Sequence, residues 1–105
     1  MPVQKATDAD FPTLLAEHER VVVKYYADWC GSCRLFAPKY KKMSDDTTLA
    51  NVTFLDVNAE TDQAARKLAG VTNLPFFAAF RDGQLVGTVS ATKEDAVRDL
   101  ISRLA

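Results

Sequence analysis

Two cysteines stand three positions apart in the segment Ala27-Asp28-Trp29-Cys30-Gly31-Ser32-Cys33, and the chain of 105 residues contains no other thiol. The run Val21-Val22-Val23-Lys24-Tyr25-Tyr26-Ala27 before them is β-branched and aromatic, nearly apolar on both faces, as in a strand covered on both sides. After them Phe36, Tyr40 and Met43 recur at i, i+4 and i+7, the spacing of an amphipathic helix. The thiols therefore fall where a buried strand ends and a helix begins. Unpaired amides and the positive end of the helix dipole favour a thiolate at Cys30, lowering its pKa from about 8.5 toward about 7. Cys33, one turn further in, is expected to be the less exposed of the two. The chemistry this predicts is thiol exchange: the Cys30 thiolate attacks a target disulfide, and Cys33 attacks the resulting mixed disulfide, releasing a reduced target and an oxidised pair. Gly31 and Ser32 keep the spacer small.

Two plainer roles compete with this one. A bridge that only staples the chain gains about 2 kcal/mol from closing so short a loop, less than longer loops give. A four-coordinate zinc site needs two further ligands, and the sequence offers His18 and scattered carboxylates. Redox chemistry without a metal is the reading adopted. His18, between Glu17 and Glu19, reads as a solvated surface residue and enters no mechanism. Arg34, Lys39, Lys41 and Lys42 make the second helix basic, which fits a solvated face better than a specific acidic docking site. There is no phosphate-cradling glycine loop and no zinc-protease helix.

The elements that must position the thiols are legible on either side. Val3 to Ala6 can form a short first strand, and Thr7-Asp8 offers cap chemistry for a helix carrying Phe11, Leu14 and Leu15 on one face, with Pro12 in its first turn. The second helix is expected to kink at Pro38 and fade around Ser44 to Thr48. Val52 to Val57 alternates like a strand, and Thr61 to Ala69 reads as a short helix that Gly70 stops. Phe76 to Phe80 and Leu85 to Val89 flank Arg81-Asp82-Gly83-Gln84, whose Asp-Gly pair signals a hairpin. Thr92, with Asp95 three residues on, is the expected cap of a last helix whose stripe is Val97, Leu100, Ile101 and Leu104. Crossover units followed by an antiparallel hairpin give an α/β fold, a mixed sheet with helices on both faces.

Hydrophobic residues make up 48% and charged residues 26%, the balance of a chain that folds by itself, and 105 residues suit one domain over 1–105. Lys plus Arg number 13 against 14 Asp plus Glu, so no basic field favours nucleic acid or anionic lipid. No stretch approaches membrane-spanning length. Met1 to Asp10 lacks the apolar run of a secretory signal, so a cytoplasmic location is expected, a removed leader ahead of Met1 being the alternative. Cysteines in a reducing cytosol are more often catalytic or metal-binding than structural.

The sequence resembles the thioredoxin family over nearly its whole length. The resemblance rests on the strand into Trp29-Cys30-Gly31-Ser32-Cys33, Pro38 five residues after the second cysteine, Leu74-Pro75 before the hairpin, and Asp82-Gly83 at its tip. It implies the thioredoxin fold, a central mixed five-stranded sheet with four helices on both faces, and protein-disulfide oxidoreductase activity as an electron carrier. It further implies a cis bond at Leu74-Pro75 beside Cys30, where the Leu74 backbone would pair with an extended substrate segment. Trp29, Gly31, Ser32, Asn73, Leu74, Pro75, Phe76 and Ala91 would surround the thiols as a docking surface. Trp29 could equally pack in a core, and Phe76, opening a strand, reads first as core.

No bound cofactor is implied beyond the Cys30-Cys33 couple, with electrons from NADPH through a flavin-dependent thioredoxin reductase. Target proteins carrying disulfides are the expected partners, and a monomer the expected state. Departures from the family pattern mark where behaviour would differ. Ser32 replaces the usual proline, which implies a somewhat less reducing couple; Asn73 and Ala91 stand where glycines are common, and Phe76 where threonine is common. Lys24 takes the place of the family's buried aspartate and Asp56 that of its lysine partner. The two are expected side by side on neighbouring strands, because an unpaired buried charge is costly. Asp56 would then accept a proton from the buried cysteine through water, while Lys24 would favour the thiolate. The alternative is that Lys24 snorkels out of a strand edge. A different function on the same residues is a binding module whose cysteine pair switches association with a partner and turns over few electrons. An oxidase or isomerase is a further alternative, which a strongly oxidising pair and a secretory leader would favour.

Overall fold

A computed structural model describes residues 3–105; Met1, and with it the reading of a leader, lies outside them. Among the described residues the chain runs β1 (Gln4–Lys5), α1 (Phe11–Glu17), β2 (Arg20–Tyr26), α2 (Gly31–Ser44), a 3-10 turn (Thr47–Leu49), β3 (Thr53–Asn58), α3 (Gln63–Ala69), β4 (Phe76–Arg81), β5 (Gln84–Val89) and α4 (Glu94–Ser102). The strands form one sheet in the order β1-β3-β2-β4-β5. β1, β3 and β2 are parallel, β4 pairs antiparallel with β2 and β5 antiparallel with β4, so the sheet is mixed as expected. β2, the strand that leads into the cysteines, lies at its centre.

Alternation along β2 sorts side chains between two cores. Val21, Val23 and Tyr25 turn to one face, where Phe11, Leu14 and Leu15 of α1 and Ala65 and Ala69 of α3 cover them together with Leu55 and Val57 of β3. Val22 turns to the other, where Phe36, Tyr40 and Met43 of α2, Val97, Leu100 and Ile101 of α4 and Leu104 just after it pack with Phe54 and Phe77. Edge-to-face ring pairs hold both layers, Phe11 on Phe80 in the first and Phe36 on Phe77 in the second. The hairpin turns on Asp82 and Gly83, both at positive φ (51° and 79°), the pair of left-handed residues that matches the twist of its strands. Gly70, at φ 65°, ends α3 in the left-handed conformation that a residue with a Cβ adopts at a cost.

Helix starts differ from the sequence expectations. Thr7-Asp8 does not cap α1: Asp10 holds the N-cap position and its carboxylate turns back to the Thr7 N–H at 2.6 Å. Asp8 reaches across the fold and accepts from the Ala64 and Ala65 N–H groups (3.2 and 2.9 Å), capping α3 from a distant loop. Local spacing cannot reveal a cap supplied across 56 residues. Thr92 does not cap α4 either; Lys93 is the N-cap residue, and Glu94 and Asp95 face the positive end of the dipole from the first turn. α2 runs through Pro38, which is exposed. No helix among the described residues is long and apolar enough to cross a membrane.

Candidate active site

The C-terminal end of β2 and the N-terminal end of α2 bring the cysteines together. Cys30 is the N-cap residue of α2, in extended conformation, and Cys33 sits in the first turn; the two are joined as a disulfide with Cα atoms 5.2 Å apart. The Cys33 N–H points at the Cys30 Sγ at 3.2 Å, so an amide left unpaired by the helix start faces the sulfur expected to carry charge. Ser32 Oγ lies 3.5 Å from the same sulfur. Ala27, Tyr26 and Leu74 pack on the pair, leaving Cys30 4% and Cys33 2% exposed. Cys30 is the more accessible of the two, but by a narrower margin than its place at the helix head suggests, because Ala27 and Leu74 close around both sulfurs.

Below the disulfide, Lys24 of β2 is in register with Asp56 of β3, and Asp56 in turn with Lys5 of β1. Lys24 Nζ lies 3.4 Å from Asp56 Oδ1, with side chains 5% and 20% exposed. Lys24 does not snorkel: it is enclosed on a central strand, with its ammonium 5.2 Å from the Tyr40 ring centre and 5.8 Å from that of Tyr26. The contact is an ion pair without hydrogen-bond geometry, so Asp56 Oδ1 is buried with no hydrogen-bond donor among the described residues. Burial raises the Asp56 pKa above the usual carboxylate value, and Lys24 and Lys5 offset that only in part. A cleft of about 270 Å3 lined by Lys5, Lys24, Tyr26, Cys33, Arg34 and Asp56 joins this pair to the second cysteine.

A redox disulfide at a helix start, above a buried charge pair on a β1-β3-β2-β4-β5 sheet, finds its counterpart in sequence. The thioredoxin family profile matches residues 2–103. The chain belongs to the thioredoxin family. It is 27% identical to thioredoxin 1 of Plasmodium falciparum over 94% of this chain and 93% of that one, and 31% identical to thioredoxin-1 of Saccharomyces cerevisiae over 97% of each. A solved structure of the Plasmodium falciparum thioredoxin superposes with a TM-score of 0.89 at 28% identity, covering 98% of this chain and all of the other. The chain is accordingly a protein-disulfide oxidoreductase whose redox centre is the Cys30-Cys33 disulfide.

Around that centre the residues named from sequence separate into an exposed rim and a buried support. Trp29 is 67% exposed and takes no part in a core; its indole N–H donates to Glu60 Oε2 at 2.7 Å. Gly31 and Asn73 are exposed, and Ser32, Leu74 and Ala91 half-buried. The Leu74-Pro75 bond is cis, with Pro75 buried and Leu74 against Ala27 and both cysteines. Phe76 does not join the rim: it is 6% exposed and packs edge-on to Tyr25, because as the first residue of β4 it points to the α1/α3 core.

Sequence reasoning passes over four further residues of the site. Glu60 holds the Trp29 indole, Arg34 donates to the Asp28 carbonyl, Ser90 donates to the Pro75 carbonyl at 3.3 Å, and Lys5 flanks Asp56. Only Lys5 leaves a signal in the sequence, as the lone cation of a short edge strand whose register with β3 has to be known first. His18 lies at the end of α1, away from all of these. Among the described residues no group of three or more His, Cys, Asp or Glu side chains could hold a metal ion.

Proposed function

We propose that Cys30 is the nucleophile and Cys33 the resolving thiol of a thioredoxin-type electron carrier that folds as one domain over 1–105 and works as a monomer. The observation that carries this assignment is the Cys33 N–H on the Cys30 sulfur at the head of a helix of 14 residues. In the reduced protein that donor and the helix dipole stabilise negative charge on Cys30. Its thiolate attacks a target disulfide, forming a mixed disulfide and expelling the target's other sulfur as thiolate. Cys33 then loses its proton and attacks the Cys30 sulfur, and the target leaves reduced while the intramolecular bond reforms.

Asp56 is the acceptor for the Cys33 proton. The cleft they share is roomy enough for water, Asp56 Oδ1 lacks a donor, and burial has already moved its affinity for a proton upward. Lys24 keeps Asp56 ionised when Cys33 is protonated and favours the Cys33 thiolate as the proton moves across. The reversed order of acid and base along the chain thus retains a carboxylate next to the resolving cysteine.

The exposed Trp29 ring, Gly31, Ser32, Asn73, the Leu74-Pro75 segment and Ala91 form the surface that receives an extended segment of the target; Phe76 supports it from the core. NADPH, through a flavin-dependent thioredoxin reductase, supplies the electrons, and the cytoplasm is the compartment in which such a couple is kept reduced.

Reduction of insulin with a catalytic amount of reductant tests the assignment. Multiple turnovers by the parent, a covalent complex trapped by Cys33→Ser and no reaction with Cys30→Ser are the expected results. A Cys30→Ser protein that still reduced insulin would overturn the division of roles, and stoichiometric reduction without turnover by the parent would favour a redox-switched binding module. NADPH oxidation in the presence of the host's thioredoxin reductase tests the electron source.

A further inference from the structure

The spacer residue Ser32 sits closer to the chemistry than a docking role requires. Its hydroxyl oxygen is 3.5 Å from the Cys30 sulfur, which is in a disulfide and has no hydrogen, so the hydroxyl is the donor of that contact. The Cys33 N–H approaches the same sulfur at 3.2 Å. Cys30 therefore has two donors aimed at it, one from the backbone and one from a side chain. The Ser32 side chain is half-buried, in the first turn of α2, where the helix fixes its direction.

We propose that the Ser32 hydroxyl is a positioning group for thiol exchange: it donates to the Cys30 sulfur and holds the charge that appears there when the disulfide opens. This rests on Cys30 being the nucleophile. A hydroxyl bonded to a neutral disulfide sulfur gains little, whereas the same donor facing a thiolate forms a charge-assisted bond. The bond strengthens on reduction, so it stabilises the dithiol form over the disulfide, makes the thiolate easier to form and makes the couple less reducing. By stabilising the thiolate it also restrains the intrinsic nucleophilicity of Cys30 toward a target disulfide.

The charged groups near the pair lie elsewhere and stay constant when residue 32 is changed. Asp28, Arg34, Lys5 and the Lys24–Asp56 pair line the cleft on the Cys33 side, and Lys39 lies with Ser32, Leu35, Phe36 and Thr92 around a second depression on the opposite side of the helix start. Trp29 and Glu60 are tied to one another. Leu74, which covers the sulfurs from the Pro75 loop, carries no charge.

The test compares Ser32→Ala, which removes the donor, with Ser32→Thr, which keeps it. Thiolate absorbance at 240 nm against pH and the iodoacetamide reaction rate report Cys30, and equilibration with a glutathione buffer reports the couple. Ser32→Ala is expected to move the Cys30 titration upward by about one pH unit, a tenfold change in the thiolate equilibrium, and to make the couple more reducing; Ser32→Thr is expected to follow the parent. Unchanged titration in Ser32→Ala, or equal displacement in both variants, would overturn the proposal while leaving the parent's reductase activity and the Cys30 assignment intact. A parent in which residue 30 titrates as an ordinary thiol and insulin is not reduced would instead remove the reading beneath it.

Discussion

The two faces of the sheet are built from the same strands and spend them differently. Toward α1 and α3, residues 21, 23 and 25 of β2 and 55 and 57 of β3 are all apolar or aromatic, and the layer closes without a charge. Toward α2 and α4, the alternate positions are Val22 and Lys24 on β2 and Phe54 and Asp56 on β3, so the layer is apolar at one end and ionic at the end beneath the cysteines. One register thus yields a dry core and, one residue away, a buried ion pair. A dry core gains stability from every buried methylene, whereas a buried ion pair seldom repays its desolvation. In the proposed mechanism the ionic end serves by its position under Cys33.

The largest effect expected from disturbing this contrast is on the ionic side. Lys24→Met leaves Asp56 without its nearest counter-charge, and removing one partner of a buried pair costs about 4 kcal/mol at neutral pH. The pH dependence has a definite sign. The folded-state pKa of Asp56 is raised by burial, so its contribution to stability is fully present below the unfolded value, about 4, and is lost as pH rises through the folded value. Without Lys24 that folded value rises further, and the deficit of the variant is expected to shrink as pH falls toward 4. Urea unfolding at pH 7 and near pH 4 checks this; equal deficits at the two pH values would mean that the pair is not what Lys24 supports.

The matching change on the dry face is Leu55→Ala. Leu55 is fully buried in the first core, and its truncation is expected to cost about 3 kcal/mol from lost burial and the cavity left behind. Its deficit is expected to be the same at both pH values, and insulin reduction by the fraction that remains folded is expected to match the parent. A change in the pH profile of turnover in Leu55→Ala would show that the faces are not independent.

What the sequence makes legible follows the same division. The dry layer is readable because periodicity is a property of a single element: Val21 to Ala27, Phe11 with Leu14 and Leu15, and Asp82-Gly83 each declare their state within a few residues. The cysteine pair is readable for the same reason, since its motif is local and its place between a strand and a helix follows from the runs on either side. Lys24 and Asp56 become a pair only when β2 and β3 are put in register, and the resemblance to a family supplied that register where spacing could not. Lys5 is lost because a strand of two residues has no period. Asp8, Glu60, Arg34 and Ser90 are lost because each acts on a loop or helix end that the chain brings to it in three dimensions. The closeness of Cys30 and Cys33 in exposure was hidden too, since it depends on Leu74 folding back over both sulfurs.

Converting the ionic end into a dry one sharpens the comparison. In a Lys24→Met, Asp56→Leu double variant no unpaired charge remains, and exchange of a buried pair for apolar side chains leaves stability within about 2 kcal/mol of the parent. Turnover on insulin is expected to fall severalfold at neutral pH, with the deficit narrowing as pH rises and solvent takes the Cys33 proton directly. A double variant with the parent's turnover at every pH would leave the ion pair without a role in exchange.

The smallest effects come from two tyrosines, one on each face, that tie a helix to the sheet through a hydroxyl. Tyr25 of β2 donates to the Ala65 carbonyl of α3 at 2.9 Å. Tyr40 of α2 donates to the Leu55 carbonyl at 2.8 Å, with the Val22 carbonyl at 3.0 Å. Burial raises the pKa of both phenols well above the ordinary tyrosine value, so both remain neutral donors throughout the working range. Replacing either by Phe removes one buried hydrogen bond and is expected to cost about 1 kcal/mol. The energies should be close, yet only the Tyr40 ring lies beside the Lys24 ammonium. Tyr40→Phe unfastens α2 from the two strands that carry Lys24 and Asp56, and is expected to change the pH dependence of Cys33 resolution as well as the urea midpoint. Tyr25→Phe is expected to move the midpoint alone. Measured together, identical pH profiles for the two variants would show that α2 stays seated over the ion pair by packing, and that the hydroxyl serves both faces in the same purely structural way.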